Sequence, residues 1–393
     1  MEHISFLIGS GFSAPEGFPT TDQINQRLRK IDESEINIHT SQDARFLRDG
    51  ETNPNASWMN VEKRKFVQDF LHFYNNSVLE KTEHFLYEDF FDYYNFILNS
   101  GEIPINLAKF LSAFKKTYKL KNEPDLLFNF NLTFNQLISG LLHKQFKRVS
   151  LGRPYHINYN AFLTLLDNLT GDNIIHLHSL NHDVYMEYLS QSLTLSSNID
   201  DGFQEIGSPF YGDLYNRNER YMVRLPRFIN EYKKKFRFYK LHGSINHYWY
   251  NEIESSALIK LKWGLGKTDV FKEIKQEGIL KYINYPVYFH PDFLSGTTAK
   301  IERYDKGHYY PIMFNYFVEN LRNSELLIII GYGFGDRKIN ELIEENFQFK
   351  NGKKVFIVDI SEPNINWFDS KSVFYIDGGV IGMDINNILS NIN

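Results

Sequence analysis

Cysteine is absent from the 393 residues of this chain. That excludes disulfides, thiolate nucleophiles and any zinc site built on cysteine. Basic residues are in the minority, with 43 Lys and Arg against 48 Asp and Glu and a formal net charge of −5. A surface that neutralises phosphates needs the opposite balance, so direct nucleic-acid binding is not expected. The basic runs Lys144–Arg148 and Lys233–Arg237 read as solvated faces. No apolar run approaches the length of a membrane span, and no basic region precedes the first apolar segment. No membrane association is expected, and the address reads as cytoplasmic. Proline is sparse, 12 in all, and no Asn-Gly dipeptide punctuates the stretch from Ile36 to Asn168.

What the chain has is a large apolar inventory. Hydrophobic residues make up 42%, with 34 Phe and 25 Tyr, enough for a globular protein of one to three domains. The aromatics crowd into Phe66–Phe96. From Ile36 to Asn168 the apolar residues recur every three or four positions, as in Phe66, Phe70 and Phe73 or Phe110, Phe114 and Tyr118, which predicts helices. Strand-like sequence precedes this stretch at Ile4–Ile8 and returns at Asn173–His178 and Phe236–Leu241. Continuous apolar runs at Leu326–Ile330 and Val355–Val358 are typical of parallel strands covered on both faces. The expected fold is α/β: a Rossmann-like parallel sheet built from residues 1–35 and 169–393, with a large, mainly helical insertion at 36–168.

Four constellations sit where strands end. Gly9-Ser10-Gly11-Phe12-Ser13-Ala14 follows the first strand and precedes a helix from about Asp22, with capping-box spacing at Thr20 and Gln23. Gly9, Gly11 and Ala14 fit a dinucleotide fingerprint, in which bare backbone can approach a pyrophosphate; a tight turn closing an ordinary strand fits the same residues. Ser179-Leu180-Asn181-His182-Asp183 follows the second strand, where Asn181 and Asp183 would project into a cleft or simply begin a turn. Tyr239–Asn246 places His242, a side chain suited to acid–base work near neutrality, before Gly243. Gly331-Tyr332-Gly333-Phe334-Gly335-Asp336 is a second glycine turn opening a helix. A further strand ends at Asp359, whose carboxylate suits a ribose. Two glycine turns and an acidic strand end can serve the two halves of one dinucleotide.

Together these segments resemble the sirtuin superfamily, and specifically the prokaryotic sirtuin-like domains of antiphage defence. Phe6–Ser13 with Gly17-Phe18-Pro19-Thr20 resembles the family's first NAD loop, Ser179–Asp183 its asparagine segment, Leu241–Asn246 its active-site histidine signature, and Gly331–Asp336 its adenosine-side turn. The resemblance implies that NAD contacts Gly9, Ser10, Gly11, Phe12, Ser13, Phe18, Pro19, Thr20, Gly331, Tyr332, Gly333 and Asp359. It places Asn181 and His242 at the nicotinamide ribose and Asp183 near the carboxamide. The chain departs from protein-deacylating sirtuins: it has no four-cysteine zinc ribbon, and Pro19 is followed by Thr20-Thr21-Asp22. Tyr285–Phe293 instead resembles a loop of the defence NADases. Asn129-Phe130-Asn131-Leu132-Thr133 imitates the asparagine segment too, but Leu127, Asn131, Phe134, Ile138, Leu141 and Gln145 trace one helical stripe.

The resemblance implies an NAD glycohydrolase that releases nicotinamide and ADP-ribose, with NAD as substrate and no metal. Unregulated, it would drain its own cell, so an effector of abortive infection held inactive until triggered is expected. The aromatic-rich insertion suits homo-oligomer assembly or a defence partner such as an ATPase of the HerA type. The competing readings are a non-catalytic sensor of NAD or ADP-ribose and a protein deacylase. A dehydrogenase ranks last, because no apolar strand precedes Asp32 and Glu33 at the distance that fold requires.

Overall fold

The computed structural model describes residues 2–40, 43–47, 51, 61–79, 84–118, 126–143, 157–190, 195, 198–216, 219–251, 256–262, 270–284, 291–293, 309–347, 352–363, 365 and 372–392. The chain divides into two compact units. One comprises Met1–Phe18, Arg148–Phe293 and Arg303–Asn393, the other Pro19–Lys147 and Leu294–Glu302. Strand β1 (His3–Ile8) and the single-turn helix α1 (Ser10–Ser13) open the first unit.

The second unit begins with α2 (Thr21–Arg29). Its capping box forms as the spacing requires: Gln23 N–H donates to Thr20 Oγ1 at 3.4 Å and Thr20 N–H to Gln23 Oε1 at 2.9 Å. Strands β2 (Ile36–Thr40) and β3 (Asp43–Phe46) then pair antiparallel, a departure from the helical expectation. The reason is a local period of two, which buries Ile36, Ile38, Ala44 and Phe46. Helices α3 (Val61–Ser77), α4 (Tyr87–Ser100), α5 (Ile105–Tyr118) and α6 (Leu126–His143) follow as the periodicity predicts. Their shared core is aromatic and meets mostly edge to face. Phe70 and Phe130 lie 5.0 Å apart, and Phe90 and Phe134 5.4 Å, the arrangement that ring quadrupoles favour. Asn131 lies inside α6, where its Oδ1 accepts from Tyr94 Oη (3.2 Å) and Asn135 Nδ2 (3.0 Å). It is a helix residue, not a strand-end one. Lys144–Arg148 and Gln145 lie outside the described residues.

The first unit resumes with α7 (Asn160–Thr170), β4 (Ile174–Ser179), α8 (Tyr185–Leu189), β5 (Ile199–Asp200), β6 (Phe203–Gln204), β7 (Phe210–Asn216), β8 (Glu219–Arg224), β9 (Arg227–Phe228) and β10 (Phe236–Lys240). After these come β11 (His247–Asn251), β12 (Ser256–Lys260), β13 (Val270–Gln276), β14 (Ile279–Asn284), β15 (Leu326–Ile330), β16 (Lys354–Asp359) and β17 (Val373–Asp377). The centre is a seven-stranded sheet in the order β17-β16-β15-β1-β4-β10-β5. Every pairing in it is parallel. The five strands expected near Phe6, Ile175, Tyr239, Ile329 and Ile357 all belong to it, and Leu326–Ile330 is buried throughout, as its unbroken apolar run predicts.

Register aligns the strand ends. Ile8 stands opposite both Ile330 and Ser179, and Ser179 opposite Lys240, so the loops after β1, β4, β10 and β15 leave one edge of the sheet. The chain lays β4 and β10 on one side of β1, then β15, β16 and β17 on the other. The reversal falls between β1 and β15, where the two glycine turns emerge; in open α/β sheets this is where ligands bind.

Two four-stranded antiparallel sheets, β11-β12-β9-β6 and β14-β13-β7-β8, were not expected from sequence. The hairpin β13–β14 is closed by Glu277 and Gly278, both at positive φ, in place of the usual Asn-Gly. Behind the parallel sheet, β4 carries a buried pair, His176 and His178, on one face. His178 Nδ1 donates to Phe6 O (3.0 Å), so its Nε2 accepts from Asn320 Nδ2 (3.1 Å). Burial drives the pKa of His176 down to about 2 and that of His178 to about 3.

Candidate functional site

The two glycine turns are packed backbone to backbone. Gly9 N–H donates to Ile330 O (3.0 Å) and Gly11 N–H to Gly331 O (2.9 Å), extending the pairing of β1 with β15 past the sheet edge. A Cβ on Gly9 would lie 2.5 Å from Gly331 O, and one on Gly331, which has φ +61°, would lie 2.5 Å from Gly11 C. Glycine is required here for the contact between loops. The N–H groups of Gly9 and Gly11 are spent on this contact between the loops. Further along the second turn, a Cβ on Gly333 or Gly335 would meet nothing within 4 Å. Phe334 holds φ +55°, a strained choice for an aromatic residue and a cost of the kind concentrated at functional loops.

Ser13 ties the first turn to the asparagine segment. Its hydroxyl donates to Asp183 Oδ2 at 2.7 Å and accepts from Asn181 Nδ2 at 3.2 Å. Asn181 Nδ2 also donates to Gly9 O at 2.9 Å. A carbonyl can only accept, so this bond fixes the orientation of the Asn181 amide and commits both of its hydrogens to the Gly9–Ser13 turn. The side-chain oxygen is the atom left to receive a ligand's hydroxyl. Asp183 is buried and does not project into a cleft as the sequence suggests. Its Oδ1 accepts from Tyr185 N–H (2.9 Å) at the start of α8, and its backbone oxygen accepts from Lys240 Nζ. Burial raises the Asp183 pKa, opposed by Lys240 and the Ser13 hydroxyl. Lys240, itself buried on β10, is held 3.6 Å from Glu187. Burial lowers its pKa, against the pull of Glu187 and Asp183.

His242 stands two residues beyond the end of β10 and is 4% exposed. Its Nε2 lies 3.3 Å from Asp336 Oδ2, and its ring centroid 6.0 Å from that of His182. Gly243 takes φ +74°, and a Cβ there would strike Asp292 O and come within 2.7 Å of Tyr310 Oη. The segment Asp292–Phe293 is pinned to the histidine loop by Ser244 N–H to Asp292 O (3.2 Å) and Asp292 N–H to His247 O (2.7 Å). Of the loop Tyr285–Phe293, residues 285–290 lie outside the described residues.

The first unit thus brings Gly9–Ser13, Asn181, Asp183, Gly331 and Tyr332 into one bonded or packed group, with His242 on the neighbouring strand end. Ser10 begins α1, and Phe12 is buried against Tyr159 and Phe162 at 5.1 and 5.0 Å. Phe18 packs on Tyr185 at 5.7 Å. Pro19 and Thr20 belong to the second unit, Thr20 as the cap of α2. Asp359 ends β16, where its Oδ1 accepts from Ile360 N–H and its backbone oxygen from Tyr375 Oη (3.1 Å). Sequence reading gave no role to Lys240, Glu187 or Asp336. Lys240 and Asp336 each border a recognised motif, which was the available signal, whereas Glu187 had none.

No family model matches this chain, and no curated protein does. Among solved structures it is similar to a mutant of Sir2 homologues in complex with 2'-O-acetyl ADP ribose, at 10% identity and TM-score 0.39, over 99% of this chain and 91% of that one. A structure described as the basis for the mechanism and regulation of Sir2 enzymes matches at 12% identity and TM-score 0.37, over 100% and 92%. Among the described residues no group of His, Asp and Glu is arranged to hold a metal ion. Among the same residues no helix is long and apolar enough to cross a membrane.

Proposed function

We propose that this chain is an NAD glycohydrolase that cleaves the nicotinamide–ribose bond to give nicotinamide and ADP-ribose. The observation that carries the reading is the hydrogen-bonded group Gly9–Ser13–Asn181–Asp183, set beside His242 and the second glycine turn at the switch point of the sheet. These are the segments that resemble the sirtuin motifs, and they meet at one edge.

In the reaction the C–N bond breaks and its electron pair leaves on nicotinamide, which departs neutral. Positive charge develops at the anomeric carbon, as in other glycosyl transfers. Asn181 suits a holder of the ribose, because the Gly9–Ser13 turn clamps its amide nitrogen and aims its oxygen. Asp183 positions that clamp through Ser13. His242 takes the proton of the attacking water, whose oxygen bonds to the anomeric carbon, and then releases that proton to solvent. General-base catalysis of this kind is worth ~10²–10⁴-fold. A defence effector held inactive until triggered, acting as a homo-oligomer or with a partner such as a HerA-type ATPase, fits a reaction that would exhaust the cell's NAD.

The test is to incubate the purified chain with NAD, with and without candidate activators, and identify the products. Nicotinamide and ADP-ribose in equal amounts are expected. Tight NAD binding with no nicotinamide released under any condition would favour a sensor instead.

A further inference from the structure

We propose that Asn340 is a positioning residue for NAD: its side-chain amide ties the second glycine turn to the helix that follows and holds Phe334 in the left-handed conformation that keeps the turn in its binding shape. The inference rests on the reading that this chain takes NAD and adds a residue that none of the sequence motifs includes. Asn340 lies in the helix Arg337–Asn346. Its Nδ2 donates to Phe334 O at 2.8 Å. A carbonyl only accepts, so this bond settles the amide orientation and turns Oδ1 to Tyr332 Oη at 2.9 Å. That hydroxyl also lies 3.0 Å from Asp336 O, and its one hydrogen is shared between the two oxygens. Asp336 closes the turn as the cap of the helix, its Oδ1 accepting from Lys338 N–H (3.0 Å) and Ile339 N–H (3.2 Å).

The helix itself gives no reason for asparagine here. Alanine is the better helix former, because an asparagine side chain competes for backbone groups. In this chain that competition is directed at the turn, six and eight residues away in sequence. Phe334 is where the turn needs holding. It keeps φ +55° although glycine, which adopts that conformation freely, stands on both sides of it. The Asn340 bond falls on the carbonyl of this strained residue, so a return of Phe334 to the right-handed region swings the carbonyl away and breaks the bond. Tyr332 and Phe334 pack ring on ring at 4.9 Å, so both residues that Asn340 grips also brace each other. What the grip preserves is bare backbone. At the first turn Gly9 and Gly11 spend their N–H groups on the contact between loops. At Gly333 and Gly335 the backbone is exposed and a Cβ would meet nothing within 4 Å, which leaves room for a ligand to approach. A turn already held in that shape spares NAD the cost of forming it.

Asn340→Ala and Phe334→Gly, made singly and together in the full chain, form a cycle read by calorimetry with NAD. Asn340→Ala should weaken NAD binding ~5–30-fold, the bias against left-handed backbone that the asparagine offsets. KM should rise to match while kcat for nicotinamide release stays within about twofold, a loss of binding shared by ground and transition states. With Phe334→Gly already in place the same substitution should cost less than about threefold, because glycine keeps positive φ without help. Circular dichroism should be parental throughout, since alanine suits the helix. Parental NAD affinity in Asn340→Ala overturns the proposal. So does an equal loss with and without Phe334→Gly, which would mean that Asn340 does not act through the Phe334 backbone. An unfolded Asn340→Ala protein overturns it as well, because the asparagine would then be holding the fold and not the turn. The expected cycle in a chain that never releases nicotinamide overturns the glycohydrolase reading and leaves the role of Asn340 standing. A parent with no affinity for NAD overturns both.

Discussion

Replacing Gly331 by alanine should destabilise the protein far more than replacing Gly333, two residues away in the same turn. At Gly331 the backbone sits at φ +61°, and the new methyl would lie 2.5 Å from Gly11 C and 2.7 Å from Gly11 Cα. The left-handed conformation costs a residue with a Cβ ~1–2 kcal/mol and overpacking ~1–3 kcal/mol, together about 2–5 kcal/mol. Backbone on both sides leaves no flexible side chain to yield. At Gly333 the methyl meets nothing within 4 Å, so the change should stay within about 0.5 kcal/mol. Urea unfolding followed by tryptophan fluorescence gives both values. Equal midpoints for Gly331→Ala and the parent would refute the tight packing of the two turns. The result also governs how binding data are read, because weaker NAD affinity in a Gly9 or Gly331 variant reports on loop packing before it reports on phosphate contacts.

Other outcomes follow from the same structure. Ser13→Ala leaves the buried Asp183 Oδ2 and one Asn181 hydrogen without their partner; the loss should be ~1–3 kcal/mol of stability together with slower NAD turnover, read from urea midpoints and nicotinamide release. Acid should weaken the fold through His176 and His178, whose folded pKa values of about 2 and about 3 lie below the unfolded ~6.5. The unfolded chain then binds the extra protons, so this stability is complete above pH ~6.5 and declines as pH falls towards 3, by up to ~2 kcal/mol per ring at pH 5. Urea midpoints at pH 7 and pH 5 check this, and a His178→Gln variant should show the smaller pH dependence. Asn131→Ala should lower the melting temperature through the lost bonds to Tyr94 and Asn135 while leaving nicotinamide release within about twofold.

Five of the seven parallel strands were legible, β15 and β16 as continuous apolar runs that need both faces covered, whereas β5 and β17 were not expected. The antiparallel sheets were not, since strands such as β14 are exposed on most positions and carry no clean alternation. Hairpin β2–β3 hid in a segment whose dominant period is helical. Within the site, the order of Asn181, His242 and the two glycine turns along the chain indicated where each would sit, because each follows a recognisable strand. Their bonding was not legible. That Asn181 is clamped by Gly9 O, 172 residues away, depends on the register of β1 with β4, and that Gly11 spends its N–H on Gly331 depends on the register of β1 with β15. Asp336 was read as the end of a glycine motif, and only the fold sets it against His242.

The most direct test of the account compares nicotinamide release by the parent and by His242→Ala, under conditions where the parent is active, with NAD binding measured on both by calorimetry. The glycine turns and Asn181 are untouched by the substitution, so NAD should bind within a small factor of the parent. Release should slow by at least ~10²-fold, the loss of a general base. Parental turnover in the His242→Ala protein would contradict the account.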